Sequence, residues 1–359
     1  MKKETAIAAN RFGLGASPGE LEKVASNPQA WLLDQLQGPS RPSRDIRDLP
    51  DSAKVLVEIQ DLRREQREMR DLAEDEPAPD IVQKYGRTVR RHYIEQTNAR
   101  YRNAARTDYP FHERLVHFWS NHFAVSADKQ PMPAIAGLYE NEAIRPYVTG
   151  NFADLLIACE QHPAMITYLD NQRSIGPNST LGRRANRARN DRTTGLNENL
   201  AREILELHTL GVDGGYTQDD VTTFAKVITG WSVGGATENG RFADGTPGTF
   251  EFRELIHEPG THRVLGKRYS QSGVDQGEAV LRDLALHPST ATFLATKLAT
   301  HFVADEPPAE LVDELAATYL ENGAELVPVY EALVNAEPAW SEVHAKYKSP
   351  HDFVISTLR

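Results

Sequence analysis

The chain has 359 residues, of which 40% are hydrophobic and 25% are charged, and its formal net charge is −11 at pH 7. A protein this acidic is not expected to bind nucleic acid in general. No apolar run approaches the roughly 20 residues that span a bilayer, and the single cysteine excludes an internal disulfide framework.

The N-terminal residues do not resemble a signal peptide, because Glu4, Asn10 and Arg11 interrupt their apolar stretch. The lone cysteine, Cys159, agrees with a reducing compartment. These two features predict a cytoplasmic protein, with export alongside a partner as the alternative. Cys159 lies in the apolar run 155–159 and is expected to be a buried, unreactive thiol.

Helix signals begin near the N-terminus and continue along most of the chain. Ser17 is a suitable N-cap with Pro18 in the first turn, and the apolar pattern predicts one helix that extends to Gln37. A proline-rich link over 38–50 follows.

A charged helical hairpin is predicted over 53–106, with arms at 53–72 and 81–106. Prolines and acidic residues at 73–80 break the helix between the arms. Because the arms mix both charge signs and have few large apolar residues, the hairpin is expected to project or to form an interface.

The next predicted helix, 111–123, carries two histidines on different sides. His122 shares an apolar arc with Trp119, whereas His117 and Asn121 lie opposite. A zinc pair on one helix needs i,i+4 spacing, so the two histidines are not expected to hold one ion. His122 is interpreted either as a core histidine with one hydrogen-bond partner or as a ligand or proton-transfer group.

The densest group of reactive side chains lies on a predicted helix over 197–211. Asn197 is a good N-cap, and Gly211 can adopt the left-handed conformation that ends a helix. On a wheel of about 100° per residue, one side carries Leu200, Ala201, Ile204, Leu207 and His208. The other side carries Glu198, Asn199, Arg202, Glu203 and Glu206.

Two interpretations of the polar side remain open. One is a solvent-exposed ladder of Glu198, Arg202 and Glu206, in which each i,i+4 pair contributes about 0.2–0.5 kcal/mol. The other is that Glu203, Glu206 and Asn199 line a pocket, with Arg202 holding one carboxylate, as in acid–base and metal sites of helical bundles.

Five arginines lie within 183–192, immediately before this helix. The segment is expected to be a mobile, solvated loop. The functional alternative is a lid that clamps an anionic small ligand over the Glu203 side, because arginine binds oxyanions in a bidentate manner.

Beyond Gly211, Thr217 and Asp220 predict a capping box at the start of another helix. A small β-containing insertion is predicted over 234–270, with a hairpin around 245–268 that pairs 249–252 with 262–265.

His257 lies on the connection of this predicted hairpin, and a polar loop position there makes a binding role credible. The following part of the chain, 274–336, is expected to form three packed helices.

Several of these segments occur in an order that resembles the bacterial domain-of-unknown-function-1800 family. The matching segments are 11–16, 118–123, 197–211, 229–231, 257–260, 264–266, 287–288, 302–308 and 348–350. The resemblance implies a mostly helical fold, no agreed activity, and genes that often lie beside a family resembling exported sulfatases and phosphatases. The residues that match the family pattern are Asn121, His122, Asn197, Glu198, Asn199, Arg202, Glu203, Glu206, Trp231 and His257.

The sequence thus predicts a mainly α, multi-helical protein that forms a single family domain over 1–359. Glu203, Glu206, His122 and Arg202 are the candidate catalytic residues, and a divalent cation is the candidate cofactor. Its candidate ligands are His122, Glu203, Glu206 and His257. Candidate ligand-binding residues are Asn121, Asn197, Glu198, Asn199 and Trp231.

The alternative function comes from a different class of protein. It is a non-catalytic scaffold or accessory subunit that binds a protein partner, for which the sulfatase- or phosphatase-like neighbour family is the candidate.

Ser349, Pro350 and Asp352 predict the start of a short helix that ends at Arg359. Because the family that the chain resembles usually continues beyond this point, the chain is expected to be a shortened form.

Overall fold

The computed structural model describes residues 3–39, 41–72, 79–188, 195–235, 245–341 and 346–359. These residues are mainly α-helical, with two small antiparallel sheets of two strands each. The predicted fold class is therefore confirmed. Among the described residues, none of the helices has the length and apolarity needed to cross a bilayer.

Most of the helices are short and are separated by tight connections. The first ten are α1 (Lys3–Ile7), α2 (Glu20–Val24), α3 (Pro28–Asp34), α4 (Arg44–Arg47), α5 (Ser52–Leu72), α6 (Pro79–Arg106), α7 (Pro110–His122), α8 (Ala136–Tyr139), α9 (Phe152–Glu160) and α10 (Pro163–Tyr168). The others are α11 (Thr180–Ala188), α12 (Asn199–Glu203), α13 (Gln218–Val227), α14 (Val274–Ala285), α15 (Pro288–Phe302), α16 (Ala309–Glu321), α17 (Leu326–Asn335) and α18 (Pro350–Leu358).

Other helical turns extend or link these helices. The π-helical segments are Ala8–Phe12, Glu140–Ile144 and Ile204–Thr209. The 3₁₀ segments are Gln35–Gln37, Met132–Ala134, Asn171–Arg173, Glu254–Ile256 and Glu337–Trp340.

The single helix predicted from Ser17 to Gln37 is wrong, because the chain forms α2 and α3 there. Asn27 caps α3 by accepting a hydrogen bond from the Ala30 N–H at 3.1 Å, and Pro28 occupies the first turn. Proline has no N–H to continue the preceding helix, so the chain ends one helix and starts another at this point.

The two helices predicted for the charged hairpin are present as α5 and α6, and the link at 73–78 lies outside the described residues. Ion pairs such as Arg91–Glu58 and Lys84–Glu65, both at 2.9 Å, join the arms. These pairs are exposed and add little stability. The arms are fixed instead by buried residues such as Ile59 and Val89, which belong to the main core.

The strand pairing predicted around 245–268 is wrong. Strand β1 (Trp231–Val233) pairs with β2 (Phe250–Phe252), and β3 (His262–Val264) pairs with β4 (Lys267–Tyr269). The turn between β3 and β4 contains Leu265 and Gly266, which both have positive φ angles, 48° and 76°. Two such residues form the turn that favours a tight hairpin, so β3 pairs with the strand that follows it.

The segment 274–336 forms four helices, α14 to α17, and not the predicted three. The extra break lies at His287 and Pro288. The His287 side chain accepts a hydrogen bond from the Ser289 N–H at 3.1 Å and so caps α15, while Pro288 prevents α14 from continuing.

Helix α7 runs through the centre of the core. Its Trp119 ring is fully buried, and the indole N–H donates to the Tyr330 hydroxyl at 2.6 Å. That hydroxyl donates in turn to the Val148 carbonyl at 2.8 Å. These two hydrogen bonds satisfy two buried donors and fix the position of α7 against α17. The opposite side of α7 is left to form a site.

Candidate ligand-binding cavity

The helix predicted over 197–211 is present but changes its winding midway. The Asn197 side chain accepts a hydrogen bond from the Asn199 N–H at 2.9 Å, and Gly211 has the expected positive φ of 85°. Between them, α12 passes into the π-helical segment Ile204–Thr209. A π turn is wider than an α turn and rotates the residues that follow it. As a result Leu205 is buried, whereas Leu207, predicted for the apolar side, is 44% exposed.

The polar side of α12 forms its own local network. Glu198 accepts hydrogen bonds from Arg202 at 3.2 Å, from Gln218 at 2.8 Å and from Thr222 at 2.7 Å. Arg202 thus holds Glu198 in an i,i+4 pair, as in the ladder interpretation. Burial and the neighbouring Glu206 carboxylate raise the pKa of the Tyr216 hydroxyl.

Neighbouring Glu203 is half-buried on the same helix. The structure therefore pairs Glu198 with Arg202 and places Glu206 near Tyr216.

His122 has the surroundings expected of a core histidine. It is buried, its ring nitrogen Nε2 donates to the His208 carbonyl at 3.0 Å, and its ring packs against Trp119 and Phe123. Burial, together with the charge of Lys297, holds the pKa of His122 well below its usual value. The ring is therefore neutral at pH 7.

His257 lies on the loop between β2 and β3, as expected, but its side chain is buried, as is that of Trp231. The His257 ring nitrogen Nδ1 donates to the Thr229 carbonyl at 2.8 Å, and the ring packs against Phe252. The Trp231 ring is so tightly enclosed that a Cβ on Gly277 would lie 2.4 Å from it. Both rings therefore pack in the core, and their role as site residues stays a prediction.

The structure does not assemble the predicted metal ligands into a recognisable centre. Within the described ranges, no group of three or more His, Cys, Asp or Glu side chains is arranged to hold a metal ion. The set His122, Glu203, Glu206 and His257 therefore stays a prediction.

The arginine-rich segment is helical where the structure describes it. Arg183, Arg184 and Arg187 lie on α11, so the predicted loop is wrong for 183–188. Positions 189–192 of the segment lie outside the described residues.

A cavity of about 860 Å³ opens on the other side of α7. Its wall is built from α6, α7, α15 and the start of α18, with the π-helical turn at Glu140. Asn121, one of the predicted site residues, lines it. The charged and titratable side chains of the wall include Arg100, Arg114, His117, Glu140, His301 and His351.

His117 lines the cavity and forms a buried carboxylate–imidazole pair with Glu113. They lie one turn apart on α7, and His117 Nε2 is 3.4 Å from Glu113 Oε1. Arg145 donates to the same carboxylate oxygen at 2.9 Å. Burial alone would raise the pKa of Glu113, but the Arg145 charge and the hydrogen bonds from Arg145 and His117 hold it well below the usual value. Glu113 is therefore ionised at neutral pH.

The His351 imidazole packs edge-on against His117, with ring centroids 4.9 Å apart. Arg100 always donates, so His351 Nε2, at 3.2 Å from Arg100 Nη1, must accept. The proton then lies on Nδ1, which donates to the Tyr101 hydroxyl at 3.2 Å. Burial, His117 and Arg100 lower the pKa of His351 to about 4, so this neutral form persists at pH 7.

Arg114 and His301 complete the buried part of the wall. Arg114 contacts the Asp352 carboxylate at 3.2 Å and donates to the Gly13 carbonyl at 3.3 Å, but its Nε–H has no acceptor among the described residues. His301 Nε2 is likewise unpaired there, and burial, followed by the charge of Arg114, lowers the pKa of His301 to about 3.

Unpaired buried polar atoms are uncommon and cost about 1–3 kcal/mol each. At this wall they are Arg114 Nε, His117 Nδ1, the Tyr139 hydroxyl and His301 Nε2. Others lie elsewhere in the described core, for example on His122 and Asn171, but a cavity wall that carries several of them is typical of a binding site whose polar groups are completed by a ligand or by ordered water.

Sequence reasoning missed most of this site. One usable signal was the i,i+4 spacing of Glu113, His117 and Asn121, which places all three on one side of α7. The remaining groups, such as Arg100 and His351, come from positions about 250 residues apart, and no local pattern connects them.

No curated protein and no solved structure matches this chain. A family model described as "Protein of unknown function (DUF1800)" matches residues 7–359. Because that match covers essentially the whole sequence, the chain belongs to the DUF1800 family.

Proposed function

We propose that this protein binds a small polar molecule in the cavity beside α7 and acts on it by acid–base chemistry through Glu113 and His117. The observation that supports this proposal most strongly is the ionised Glu113 carboxylate beside the neutral His117 imidazole, which lies at the cavity wall. A carboxylate in this position orients the imidazole and stabilises the imidazolium that forms when it accepts a proton.

The protonation state of His117 supports a role as general base. Burial, with the nearby charge of Arg100, lowers the pKa of His117, while Glu113 opposes this effect. The ring is therefore neutral at pH 7 and ready to accept a proton. Burial combined with a specific charged partner is a pattern that occurs often at active sites.

The cavity has a suitable size for a metabolite-sized ligand. Small-molecule sites usually enclose about 300–1,000 Å³, and this one has about 860 Å³. Both His117 nitrogens are shielded from solvent, with the His351 ring packed against His117. We infer that a bound substrate reaches His117 after a small displacement of His351, since catalytic contacts often tighten only in the complex.

Filling the cavity tests the location of the binding site. Ser120 is half-buried and lines the cavity, so Ser120→Phe is expected to exclude ligands that Ser120→Ala still admits. The measurement is the shift in melting temperature with a panel of small polar metabolites. We expect at least one compound to raise the melting temperature of the wild type and of Ser120→Ala, and not that of Ser120→Phe.

The chemistry is tested with the same compounds. For any that the protein converts, His117→Gln is expected to lower kcat by about 100-fold or more while binding remains. If no compound in a broad panel binds, or if Ser120→Phe binds as well as Ser120→Ala, the cavity is not the functional site. The non-catalytic scaffold would then be the better interpretation.

A further inference from the structure

One corner of the cavity concentrates positive charge. Arg114 and Lys348 both line it, and among the described residues the carboxylate that acts on both is that of Asp352. The Arg114 side chain is buried and its Nε–H lacks an acceptor among the described residues. Partial burial, followed by repulsion from Arg114, lowers the pKa of Lys348, whose side chain is otherwise exposed. Two cations therefore line the same cavity, and the Asp352 carboxylate pairs with Arg114.

Lys348 differs from the other cations that line the cavity, because its hydrogen-bond partner among the described residues is not a carboxylate. Three of the lining cations each have a carboxylate: Arg100 with Glu140 at 2.7 Å, Arg114 with Asp352 at 3.2 Å, and Lys346 with Asp305 at 2.6 Å. Lys348 instead donates to the Asn10 side-chain carbonyl at 3.1 Å. Among the described lining residues, the charge at this corner is thus positive by one unit.

The first turn of α18 adds to the same field. Its N-cap Ser349 and the following Pro350 lie in the cavity wall, together with the Asp352 carboxylate of the same turn, which pairs with Arg114. A helix N-terminus carries a partial positive charge that favours anions. The neighbouring histidines, His301 and His351, are neutral and do not oppose an incoming negative group.

We propose that the cavity recognises its ligand through an oxyanion, a carboxylate or a phosphate group, bound between Arg114, Lys348 and the first turn of α18. This proposal rests on the proposed function and specifies the substrate class. Arg114 lies three residues before His117 on α7, so an oxyanion bound there anchors the rest of the molecule beside the acid–base pair. Such anchoring is how a remote charged group positions a substrate for reaction.

The test uses matched pairs of compounds, each a carboxylate with its amide or a phosphate ester with its parent alcohol. Affinities are measured by isothermal titration calorimetry at constant ionic strength. Lys348 is exposed, so Lys348→Gln is expected to fold. It should weaken binding of the anionic member about 10–100-fold, the usual effect of losing a charge-assisted hydrogen bond. Lys23→Gln removes one charge from an exposed position on α2 and serves as the control.

The outcomes separate this proposal from the proposed function. Preferential binding of the anions, weakened by Lys348→Gln and unaffected by Lys23→Gln, supports it. Similar affinities for carboxylates and phosphate esters indicate that the cavity recognises oxyanions in general. Binding of one class alone identifies whether the ligand carries a carboxylate or a phosphate. Equal binding of neutral members, or equal effects of the two lysine variants, would overturn the oxyanion proposal. The cavity function would still stand if Ser120→Phe abolished that binding.

Discussion

Replacing Glu113 with glutamine is expected to lower the free energy of unfolding by about 3–5 kcal/mol, since removal of one partner from a buried ion pair leaves the other uncompensated. The remaining partner is Arg145, whose side chain is 9% exposed. Arg145 keeps a longer contact, 3.6 Å, with the Glu140 carboxylate and a hydrogen bond of 3.2 Å from its Nε–H to the Asn141 side-chain oxygen. Urea unfolding followed by tryptophan fluorescence measures the change.

Two controls make the Glu113 experiment specific. Glu65→Gln breaks the exposed pair with Lys84 and should cost about 0–1 kcal/mol. The double variant Glu113→Gln with Arg145→Met removes both charges and should recover part of the loss. A Glu113→Gln protein no less stable than Glu65→Gln would show that Glu113 and Arg145 do not form the buried pair described here.

Stability is expected to fall as the pH is lowered from 7.5 to 5.5, because several histidines are buried in the neutral form. Burial lowers the pKa of His112 to about 4 and that of His301 to about 3. Both folded-state values lie below the unfolded value of about 6.5. Their stabilisation is therefore complete above pH 6.5 and is lost as the pH falls from 6.5 towards the folded-state values.

The size of this effect follows from proton linkage. At pH 5.5 the unfolded chain has bound a proton at each of these two sites and the folded chain has not, which costs on the order of 3 kcal/mol in total. Urea unfolding at pH 7.5, 6.5 and 5.5 measures the loss, and His301→Gln should reduce its slope. A free energy of unfolding that stays constant or rises over this range would contradict the neutral, buried state of these rings.

Local signals in the sequence predicted local structure well. Thr217 and Asp220 form the expected capping box, and Gly211 takes the expected left-handed conformation. Ser349 caps α18 as predicted by accepting from the Asp352 N–H. Each of these depends on residues within four positions of one another, so a single sequence contains all the information required.

The errors arose where geometry departs from an ideal helix or depends on distant contacts. The wheel assumed α geometry through Leu207, and the π turn at Ile204–Thr209 rotates that residue outward. The cavity joins Arg114 to Asp352 across 238 positions. Single-sequence periodicity assigns a residue to a side of its own helix but does not identify the opposing helix.

His122 and His117 illustrate the difference between what a local sequence pattern predicts and what depends on contacts between distant parts of the chain. The aromatic arc of His122 was identified correctly, and the ring lies among Trp119 and Phe123. His117, on the opposite side of the same helix, instead carries the buried carboxylate partner at the cavity wall. The polar side of α7, which carries His117, was therefore a better guide to the candidate site than the aromatic side, which carries His122.

One comparison tests most directly whether the cavity beside α7 is the functional site. The compound that binds the wild type most tightly is titrated into Ser120→Phe, which places a bulky ring in the cavity wall, and into Glu203→Gln, which alters the polar surface of α12. We predict that binding is lost in Ser120→Phe and unchanged in Glu203→Gln. Loss of binding in Glu203→Gln with full binding by Ser120→Phe would contradict the cavity assignment and locate the site at the carboxylates of α12.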